Sequence, residues 1–558
     1  MHTKEMNLLK QINYFQIILL VVYAISLLLV KDNHFDFSLN KYLWAEDGII
    51  FLDSAHRFGL EAIFIPYNGY IHLYPRIVAE IANFFTLESQ RIMMFLGWAA
   101  SYIICVLCFI RFLWNNRINL LFSFLSISFL ILQPHSGECF FNATNAQWWL
   151  AFSLIIVILD AIPKHPFMKF LNVSLVAVCG LTGPFSVVFF PVALLKFIVD
   201  NFAVRDYLPF KHNLKNFYSC LFYKSNENKA DKIYSVAITV VLAICALVQV
   251  VMILKSERIQ AETISSIKPF VESFVHFLLF CTSDIMMFPA MLMWNIAIVG
   301  FPAFIKNNQN NSKVFTVLCI LIAATGLIFV SLYSVKSNPA MIVFNNSGNR
   351  YSFVPNILIF TAGLIILQHC RKLLITYVIL GVAICYCNFS RPHLNSLDFE
   401  AYTLYASTKY ESTKEKFSIP INPEGWMVSI DNAELPKTNT LVLPVDEFAN
   451  TTDYRKEILV GCPEDYSDAI AITFNLENSE PVTLNLRYAP VNSKKAKTAR
   501  FSFSSNISEE RVFAFSLNQT EYNIRFYSDQ NKDFALKNVK KYCMSKSANS
   551  TNDVVIVK

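Results

Sequence analysis

The run YFQIILLVVYAISLLLV, from Tyr14 to Val30, contains no charged side chain. It follows Lys4 and Lys10, as the apolar core of a signal peptide would, but Leu28-Leu29-Val30-Lys31 offers no small-x-small cleavage site. Similar apolar runs recur as far as residue 388. The pattern predicts an uncleaved signal anchor that is the first of many membrane spans.

Further apolar runs follow along the chain. Because about 20 helical residues are needed to cross roughly 30 Å of hydrocarbon, the longer runs each predict a span. The sequence therefore predicts an α-helical polytopic membrane protein with about eleven transmembrane helices, formed by residues 1–388. The segment 268–280 is expected to be a half-span or an interfacial helix. The further runs lie at 92–113, 118–132, 147–163, 167–182, 184–199, 234–254, 285–305, 314–334, 353–369 and 373–388.

The composition of the whole chain agrees with a large lipid-facing surface. Of 558 residues, 54% are hydrophobic and 16% are charged, whereas an average soluble domain has roughly 45–50% apolar and about 25% charged residues. These values exclude an ordinary soluble enzyme and a disordered chain, and they predict the lipid bilayer as a partner. The formal charge of +6 is scattered, so nucleic acid is not an expected partner.

The loops between the apolar runs differ in charge, and this difference predicts an orientation. Basic residues concentrate in cytoplasmic loops of membrane proteins. With the N-terminus inside, the basic residues fall in the inner loops and the long first loop, 31–91, faces outward. The C-terminal part, 389–558, then also lies outside; an even number of spans would place it inside. The inner basic residues are Arg111, Arg117, Lys164, Lys169, Lys306, Lys313, Arg371 and Lys372, with others between 205 and 232.

The C-terminal part reads as a separate β-rich domain. It contains short runs rich in β-branched and aromatic residues, separated by polar, turn-forming stretches. This spacing predicts an antiparallel β-sandwich of the jelly-roll type. Cys462 and Cys543 are its only cysteines and could form a disulfide in an oxidising compartment. The predicted strands are Ala469 to Asn475, Val482 to Tyr488, Arg500 to Ser504, Val512 to Leu517 and Tyr522 to Tyr527.

The first outward loop contains the densest group of polar and aromatic residues. Glu46 and Asp47 are either favourable charges in the first turn of a helix or a general base whose pKa is raised at the membrane surface. Arg76 either reaches lipid headgroups or pairs with a phosphate. Tyr70 and His72 would share one face of an extended segment, as a polar aromatic wall or as packing residues.

Two other outward loops offer residues for sugar and phosphate. His135, Asn145, Gln147 and Trp148 combine polar groups with an indole, which suits sugar recognition, although tryptophan is also expected in an aromatic belt. Lys336 and Arg350 lie near the outer end of a span and suit either phosphate binding or contact with headgroups. No Cys/His cluster has the spacing of a zinc site, so no metal ligand is assigned.

Several short motifs resemble those of a known superfamily. Trp44-Ala45-Glu46-Asp47-Gly48, the stretch from Gly69 to Arg76, the stretch from Arg350 to Pro355, and the stretch from Ile419 to Trp426 are similar to segments of bacterial GT-C glycosyltransferases. These are integral-membrane enzymes that use polyprenyl-phosphate sugars. Within that superfamily, the chain looks most like the serotype-converting O-antigen glucosyltransferases of phage-type operons.

The resemblance implies an inverting transfer of a sugar, glucose by analogy, from undecaprenyl phosphate to an O-antigen or other envelope glycan. The reaction would occur at the periplasmic face of the bacterial inner membrane. Asp47 would be the general base, with Glu46 as its helper or substitute. Partner proteins would include a flippase and a polyprenyl-phosphate sugar synthase. The donor phosphate would be bound by Arg76, Arg350, His72 and Lys336, and the acceptor by Tyr70, His135, Asn145, Gln147 and Trp148.

Some families of this type bind Mg²⁺ or Mn²⁺ through an acidic pair. Here Glu46-Asp47 departs from the paired-Asp pattern, so metal dependence stays open. Two other functional classes also remain: a lipid-linked polysaccharide polymerase or flippase, and a membrane transporter or sensor with a ligand-binding tail. Transport coupled to ions would need ionisable residues near the middle of the spans, and the sequence has few.

Overall fold

The structure is a computed structural model. The residues that it describes are 2–31, 43–134, 136–201, 229–256, 267–281, 284–307, 313–336, 338–340, 342, 348–387, 397–413, 418–422, 426–428, 438–444, 458–477, 482–491, 497–503, 510–517, 521–528, 535–546 and 553–556.

Helices form the chain as far as Cys387. The apolar runs of the sequence become long helices, and shorter helical turns connect them on the side that carries the first long loop. In chain order the helices are α1 His2–Lys31, α2 Asp53–Phe58, α3 Leu73–Ala82, α4 Leu87–Asn115, α5 Leu120–Leu132, α6 Ala146–Leu159, α7 Pro166–Gly180, α8 Phe185–Asn201, α9 Lys229–Lys255, α10 Ile267–Leu278, α11 Asp284–Asn307, α12 Lys313–Ser334, α13 Phe353–Leu367, α14 Arg371–Cys387 and α15 Phe399–Thr413.

Among the described residues, six helical segments are long and apolar enough to cross a membrane, and they identify the chain as a membrane protein. Four shorter apolar helices accompany them. At 1.5 Å per residue the shorter helices reach only about 20–25 Å, less than the roughly 30 Å of a hydrocarbon core. The expected eleven spans therefore stay a prediction. The six segments are Tyr14–Lys31, Ser89–Asn115, Ala230–Lys255, Asp284–Asn307, Lys313–Ser334 and Arg350–Leu367; the shorter helices are α5, α6, α7 and most of α8.

Two helices, α6 and α13, are buried along their whole lengths. The rings of Trp149 on α6 and Phe353 on α13 lie 4.6 Å apart. The peripheral helix α9 instead exposes large apolar side chains such as Leu247, as a lipid-facing surface does. Because neighbouring helices rather than lipid surround α6, its length need not match the thickness of a bilayer.

The segment predicted as a half-span or an interfacial helix forms α10. Ser273 and Phe277 are buried on one face, while Ile267 and Val271 are exposed on the other. The helix packs on α12 and α13. Its 12 residues are too few to cross a membrane.

The C-terminal part contains β-strands. Those of the described residues are β1 Ile419–Ile421, β2 Trp426–Val428, β3 Thr438–Pro444, β4 Ile458–Gly461, β5 Ala469–Glu477, β6 Val482–Pro490, β7 Lys497–Phe503, β8 Glu510–Ser516, β9 Glu521–Ser528, β10 Ala535–Lys546 and β11 Asp553–Ile556. The five predicted strands match β5 to β9, with ends that differ by a few residues. The sequence analysis missed the others and helix α15.

The described strands form a hairpin and two larger sheets. β1 and β2 pair with each other; one larger sheet has the order β11-β3-β10-β5-β8 and the other β4-β9-β6-β7. Pairing is antiparallel except between β11 and β3. Aromatic residues of the two sheets meet in one core, where the rings of Phe474 and Phe526 lie 5.4 Å apart. A disulfide joins Cys462 and Cys543.

Helix α15 and the β1–β2 hairpin connect the sandwich to the helical part. Asp398, just before α15, accepts a hydrogen bond from the backbone N–H of Ser516 in β8 (2.9 Å). Arg91 on α4 donates to Glu400 on α15 (3.4 Å). Side chains of the first loop and of β5, including Phe51 and Ala471, share one apolar cluster. The sandwich is thus fixed against the first loop.

Candidate functional site

Asp47 is held in place by the segment that precedes α6. It opens a π-helical turn, Asp47–Leu52, and its side chain is buried. Among the described residues, Oδ1 accepts hydrogen bonds from the backbone N–H and the hydroxyl of Thr144 (2.7 and 2.6 Å), and Oδ2 accepts one from the N–H of Ala143 (3.0 Å). These hydrogen bonds join the first loop to the segment between α5 and α6.

The burial of Asp47 has an electrostatic consequence. Desolvation disfavours the carboxylate and raises its pKa to about 7. The hydrogen bonds from Thr144 and Ala143 oppose this rise, while the neighbouring charge of Glu46 adds to it. Asp47 therefore changes its protonation state near neutral pH, as a general base is expected to do.

The β1–β2 hairpin of the C-terminal part positions the acidic pair from the other side. The backbone N–H of Ala45 donates to the carbonyl of Asn422 (2.5 Å), and the N–H of Asn422 donates to the carbonyl of Leu43 (2.9 Å). A side chain at Gly48 would approach Leu43 and Ile421 within 2.9 and 3.0 Å. A larger residue at position 48 would require the ends of the Leu43 and Ile421 side chains to move.

A second segment of the first loop pairs with the connection between α7 and α8. The N–H of Leu73 donates to the carbonyl of Leu181, and the N–H of Gly183 donates to that of Ile71 (3.1 and 3.0 Å). The amide of Gln249 on α9 both donates to and accepts from the backbone of Ile71. This pairing fixes His72 and the start of α3.

His72 lies within a cluster of aromatic rings. Its ring centroid is 4.5 Å from that of Tyr70 and 5.6 Å from those of Tyr67 and Phe51. Neither ring nitrogen makes a hydrogen bond of ordinary geometry with a described residue; the backbone of Tyr67 gives only a weak polar contact. Burial, together with the positive charge of Arg76, lowers the pKa of His72 to about 3, so its imidazole is neutral near pH 7.

Arg76 is a buried cation with incomplete hydrogen bonding. It is 2% exposed, and its Nε and Nη1 have no hydrogen-bond partner among the described residues. Its guanidinium lies 5.4 Å from the ring centroid of Phe51. Burial lowers the pKa of Arg76 to about 10, an effect that Glu80 opposes, so the group stays positive at neutral pH. A guanidinium with two free donors in a buried place suits an oxyanion.

Arg350 approaches this region from the connection between α12 and α13. It pairs with Glu138 (3.3 Å) and keeps about a third of its side chain exposed. The other carboxylate oxygen of Glu138 accepts from the N–H of Gly348 (3.2 Å). Charge interactions link Arg350 with Glu46 and with His72. The sequence analysis did not select Glu138, because its partner lies 212 residues away.

The predicted acceptor residues are more enclosed than a binding groove requires. Asn145 is fully buried and donates to the carbonyl of Glu138 (2.8 Å). Gln147 and Trp148 are about 5% exposed, and Trp148 packs against Tyr351. The indole N–H of Trp148 has no hydrogen-bond partner among the described residues. Half-buried Tyr70 stacks near His72. The role of these residues with a sugar stays a prediction.

Two predicted site residues are not joined to the others. The ammonium of Lys336 lies 4.8 Å from the ring centroid of Tyr333, and among the described residues it makes no hydrogen bond or ion pair with Arg76 or Arg350. His135 lies outside the described residues.

The surroundings of the acidic pair bear on whether it could hold a divalent metal ion. Both oxygens of Asp47 already accept hydrogen bonds from Ala143 and Thr144. The described residues contain no group of three His, Cys, Asp or Glu side chains placed to hold a metal, although Mg²⁺ is usually held by only one or two carboxylates together with waters and substrate phosphates.

Comparison of the chain with known protein families, with curated proteins and with solved structures finds no match.

Proposed function

We propose that the chain is an inverting glycosyltransferase that moves a sugar from a polyprenyl-phosphate donor to an envelope glycan. One observation carries the proposal: a carboxyl group with a pKa near 7 and a buried guanidinium with unused donors share one end of the helical part. The two are linked through Phe51, which lies on the π-helical turn of Asp47 and faces both Arg76 and His72. A base and a phosphate-binding cation are the groups that this transfer needs.

We further propose that α1, α4 to α9 and α11 to α14 are the eleven spans, with the N-terminus in the cytoplasm. Polar contacts between distant segments support this topology, because each contact joins two residues that the topology places on the same side of the membrane. On the outer side they are Lys31–Ser136, Ile71–Gln249, Leu73–Leu181 and Glu138–Arg350; on the inner side they are Arg111–Asp160, Lys169–Asp231, Asn172–Tyr234 and Lys313–Gln368. The disulfide of the tail also suits an oxidising periplasm.

The proposed reaction is a single displacement. The acceptor hydroxyl gives its proton to Oδ2 of Asp47, which accepts only one hydrogen bond from the described residues, while the hydroxyl oxygen attacks the anomeric carbon. The bond between that carbon and the phosphate oxygen breaks, and its electron pair leaves with the phosphate. Arg76 and Arg350 stabilise the added negative charge. Because the attack comes from the side opposite the phosphate, the anomeric configuration inverts.

In this proposal His72 acts as a neutral hydrogen-bonding group instead of a cation. With a pKa of about 3 it carries no charge at neutral pH. A bound phosphate would partly offset the charges of Arg76 and Arg350, which lower the pKa of His72, and so would raise that pKa. Glu46 helps by holding Arg350 at the site through its opposite charge.

We infer that the sandwich is a jelly roll. The orders β3-β10-β5-β8 and β4-β9-β6-β7 are those of two interlocked Greek keys, with β11 added at an edge. Its β1–β2 hairpin supports the backbone before Asp47, so we propose that the tail positions the catalytic loop and contributes to binding the acceptor glycan.

The position of buried charge favours an enzyme over a flippase or an ion-coupled transporter. Such proteins need ionisable groups near the middle of the spans. Among the described residues the buried ionisable side chains lie at helix ends, in the first loop or in the tail: Lys31, Asp47, His72, Arg76, Glu80, Arg91, Asp160 and Asp398.

Mass spectrometry of envelope glycans from cells with and without the chain tests the proposal. We expect one added hexose per repeat unit when the wild-type chain is present. The Asp47→Asn variant should not add it, whereas Asp53→Asn, the same change at a residue paired with exposed Arg57 in the same loop, should. Formation of the Cys462–Cys543 disulfide reports export and folding in each sample. Unchanged glycans with a folded wild-type chain would contradict the proposal.

A further inference from the structure

A cavity of about 380 Å³ lies at the opposite end of the helical part from Asp47. It is formed where α5 begins, α13 ends and α14 begins. Its polar lining includes Arg117, Asn119, Gln368 and Arg371. Its volume falls within the range of about 300–1,000 Å³ typical of small-molecule sites.

The cavity is positively charged. Neither Arg117 nor Arg371 has an ion-pair partner among the described residues, and Lys313 lies close enough to Arg117 to interact with its charge. The adjoining connections, 115–119 and 368–372, contain no Asp or Glu. Two other cations at this end of the helical part are paired with carboxylates: Arg111 with Asp160 at 2.7 Å and Lys169 with Asp231. Within the described part of the chain, no carboxylate pairs with Arg117 or Arg371 in this way.

The backbone at Arg117 is also unusual. The N–H of Ile118 donates to the carbonyl of Leu113 (3.0 Å), and the N–H of Arg117 donates to the carbonyl of Trp114 (2.8 Å). These two hydrogen bonds form a Schellman motif at the end of α4. Arg117 occupies its left-handed position with a φ of +59°, where glycine is favoured. Arginine at this position therefore has a conformational cost that the turn itself does not require.

The other part of the lining is apolar and faces outward from the helices. Leu121 and Ile375 line the cavity and are 62% and 42% exposed, so the cavity adjoins the surface that lipid tails would cover. A ligand with a phosphate at one end and hydrocarbon at the other matches this lining. Free phosphate would match only its polar part.

We propose that this cavity binds the phosphate headgroup of an acidic phospholipid, with Arg117 and Arg371 as its ligands. Basic pockets between transmembrane helices on the cytoplasmic side bind such headgroups in other proteins. The site is independent of the proposed sugar transfer, since it shares no residue with the outer end. It would anchor the ends of α5, α13 and α14 at the inner membrane surface.

Lipid retention by the full chain tests the proposal. The purified protein is placed in nanodiscs of phosphatidylcholine with phosphatidylglycerol, and bound lipid is counted by native mass spectrometry. We expect wild type to retain phosphatidylglycerol in preference to phosphatidylcholine. The variant Arg117→Gly with Arg371→Gln should bind it at least about tenfold more weakly, because two charge-assisted contacts are lost. The control variant Lys372→Gln removes one positive charge next to the cavity but outside its lining, and it should retain wild-type binding.

The choice of glycine at position 117 separates binding from folding. Glycine relieves the left-handed strain, so an Arg117→Gly chain should unfold at the wild-type temperature or above it while it loses the lipid. Equal retention of phosphatidylglycerol by wild type and the double variant would overturn the proposal. The proposal would also be overturned if inorganic phosphate bound through the same two arginines and displaced phosphatidylglycerol from the mixed nanodiscs. The ligand would then be free phosphate.

Discussion

Two arginines at opposite ends of the helical part, half-buried Arg111 and buried Arg76, have different surroundings. Arg111 donates to Asp160 (2.7 Å) and to Asn172 (3.0 Å), and Asn115 completes the group by donating to the second oxygen of Asp160. Arg76 has two nitrogens without a hydrogen-bond partner among the described residues and packs over the ring of Phe51. One arginine belongs to a neutralised network and the other to an incomplete site.

The difference matters because an uncompensated buried charge is unfavourable for folding. In the network of Arg111 and Asp160 an ion pair neutralises the cation and holds helices together, and one nitrogen of Arg111, Nη2, has no hydrogen-bond partner among the described residues. We expect Arg76 to destabilise the empty protein and to gain its missing contacts when an anion binds. We interpret this unfavourable burial as evidence that Arg76 has a functional role, because residues needed for activity often reduce the stability of a protein.

The largest expected effect on stability follows from breaking the inner network. Asp160→Ala leaves Arg111 and Asn115 without their acceptor, so the free energy of unfolding should fall by about 2–3 kcal/mol. Chemical unfolding of the purified chain measures this. The control is Glu272→Gln, which breaks an exposed 3.8 Å pair with Lys268 and should change little. Equal losses in both variants would show that the inner network has no special role.

Arg76→Met should separate activity from stability. Methionine fills similar space without a buried charge, so the unfolding temperature should stay the same or rise. The catalytic efficiency kcat/KM for a polyprenyl-phosphate sugar should fall about 10- to 100-fold, because charge-assisted contacts to the phosphate are lost. Unfolding and transfer are measured on one preparation. A destabilised variant with normal transfer would reverse the comparison and make Arg76 structural.

The pH dependence of transfer should report Asp47. The carboxylate must be ionised to accept a proton, so the rate should fall as the pH drops below about 7, the pKa of this group. Glu46→Gln removes a negative charge that raises this pKa and should move the acid limb of the profile to lower pH. Asp53→Asn should leave the limb in place. A limb near pH 4 in the wild type would mean that a different, solvated carboxyl group acts.

The smallest effect is expected at Glu138. Its pair with Arg350 is partly exposed, and such pairs contribute about 0–1 kcal/mol. Glu138→Gln should therefore change the unfolding temperature little but free Arg350, so that the donor's KM falls a few-fold. Initial rates at varied donor concentration measure this. An increased KM would indicate that Glu138 orients Arg350 instead of competing with the phosphate.

The sequence predicts the helices and several strands well, because apolar runs and alternation are local signals. The run 314–334 becomes α12, Lys313–Ser334, and the predicted strand from Tyr522 to Tyr527 becomes β9. β10 escaped notice because its lysines hide the alternation, although Cys543 and Met544 are buried. Helix α15 is missed because its buried face is built from tyrosine, threonine and serine as well as alanine and leucine.

The candidate site is predictable only in part. Motifs draw attention to Asp47, His72 and Arg76, but their surroundings depend on contacts between distant parts of the chain. Thr144 lies 97 residues from Asp47, and Gln249 lies 178 residues from the backbone that it supports. No local pattern indicates that Arg76 lacks partners or that burial raises the pKa of Asp47. These properties arise only when the loops pack together.

The most direct test is transfer by the purified full chain from a polyprenyl-phosphate hexose to an O-antigen acceptor, with the product's mass and anomeric configuration measured. We predict a product of inverted configuration and a rate about a thousandfold lower for Asp47→Asn, within the range that general bases contribute. Asp53→Asn should match the wild type. Retained configuration, or wild-type transfer by a folded Asp47→Asn chain, would contradict the account.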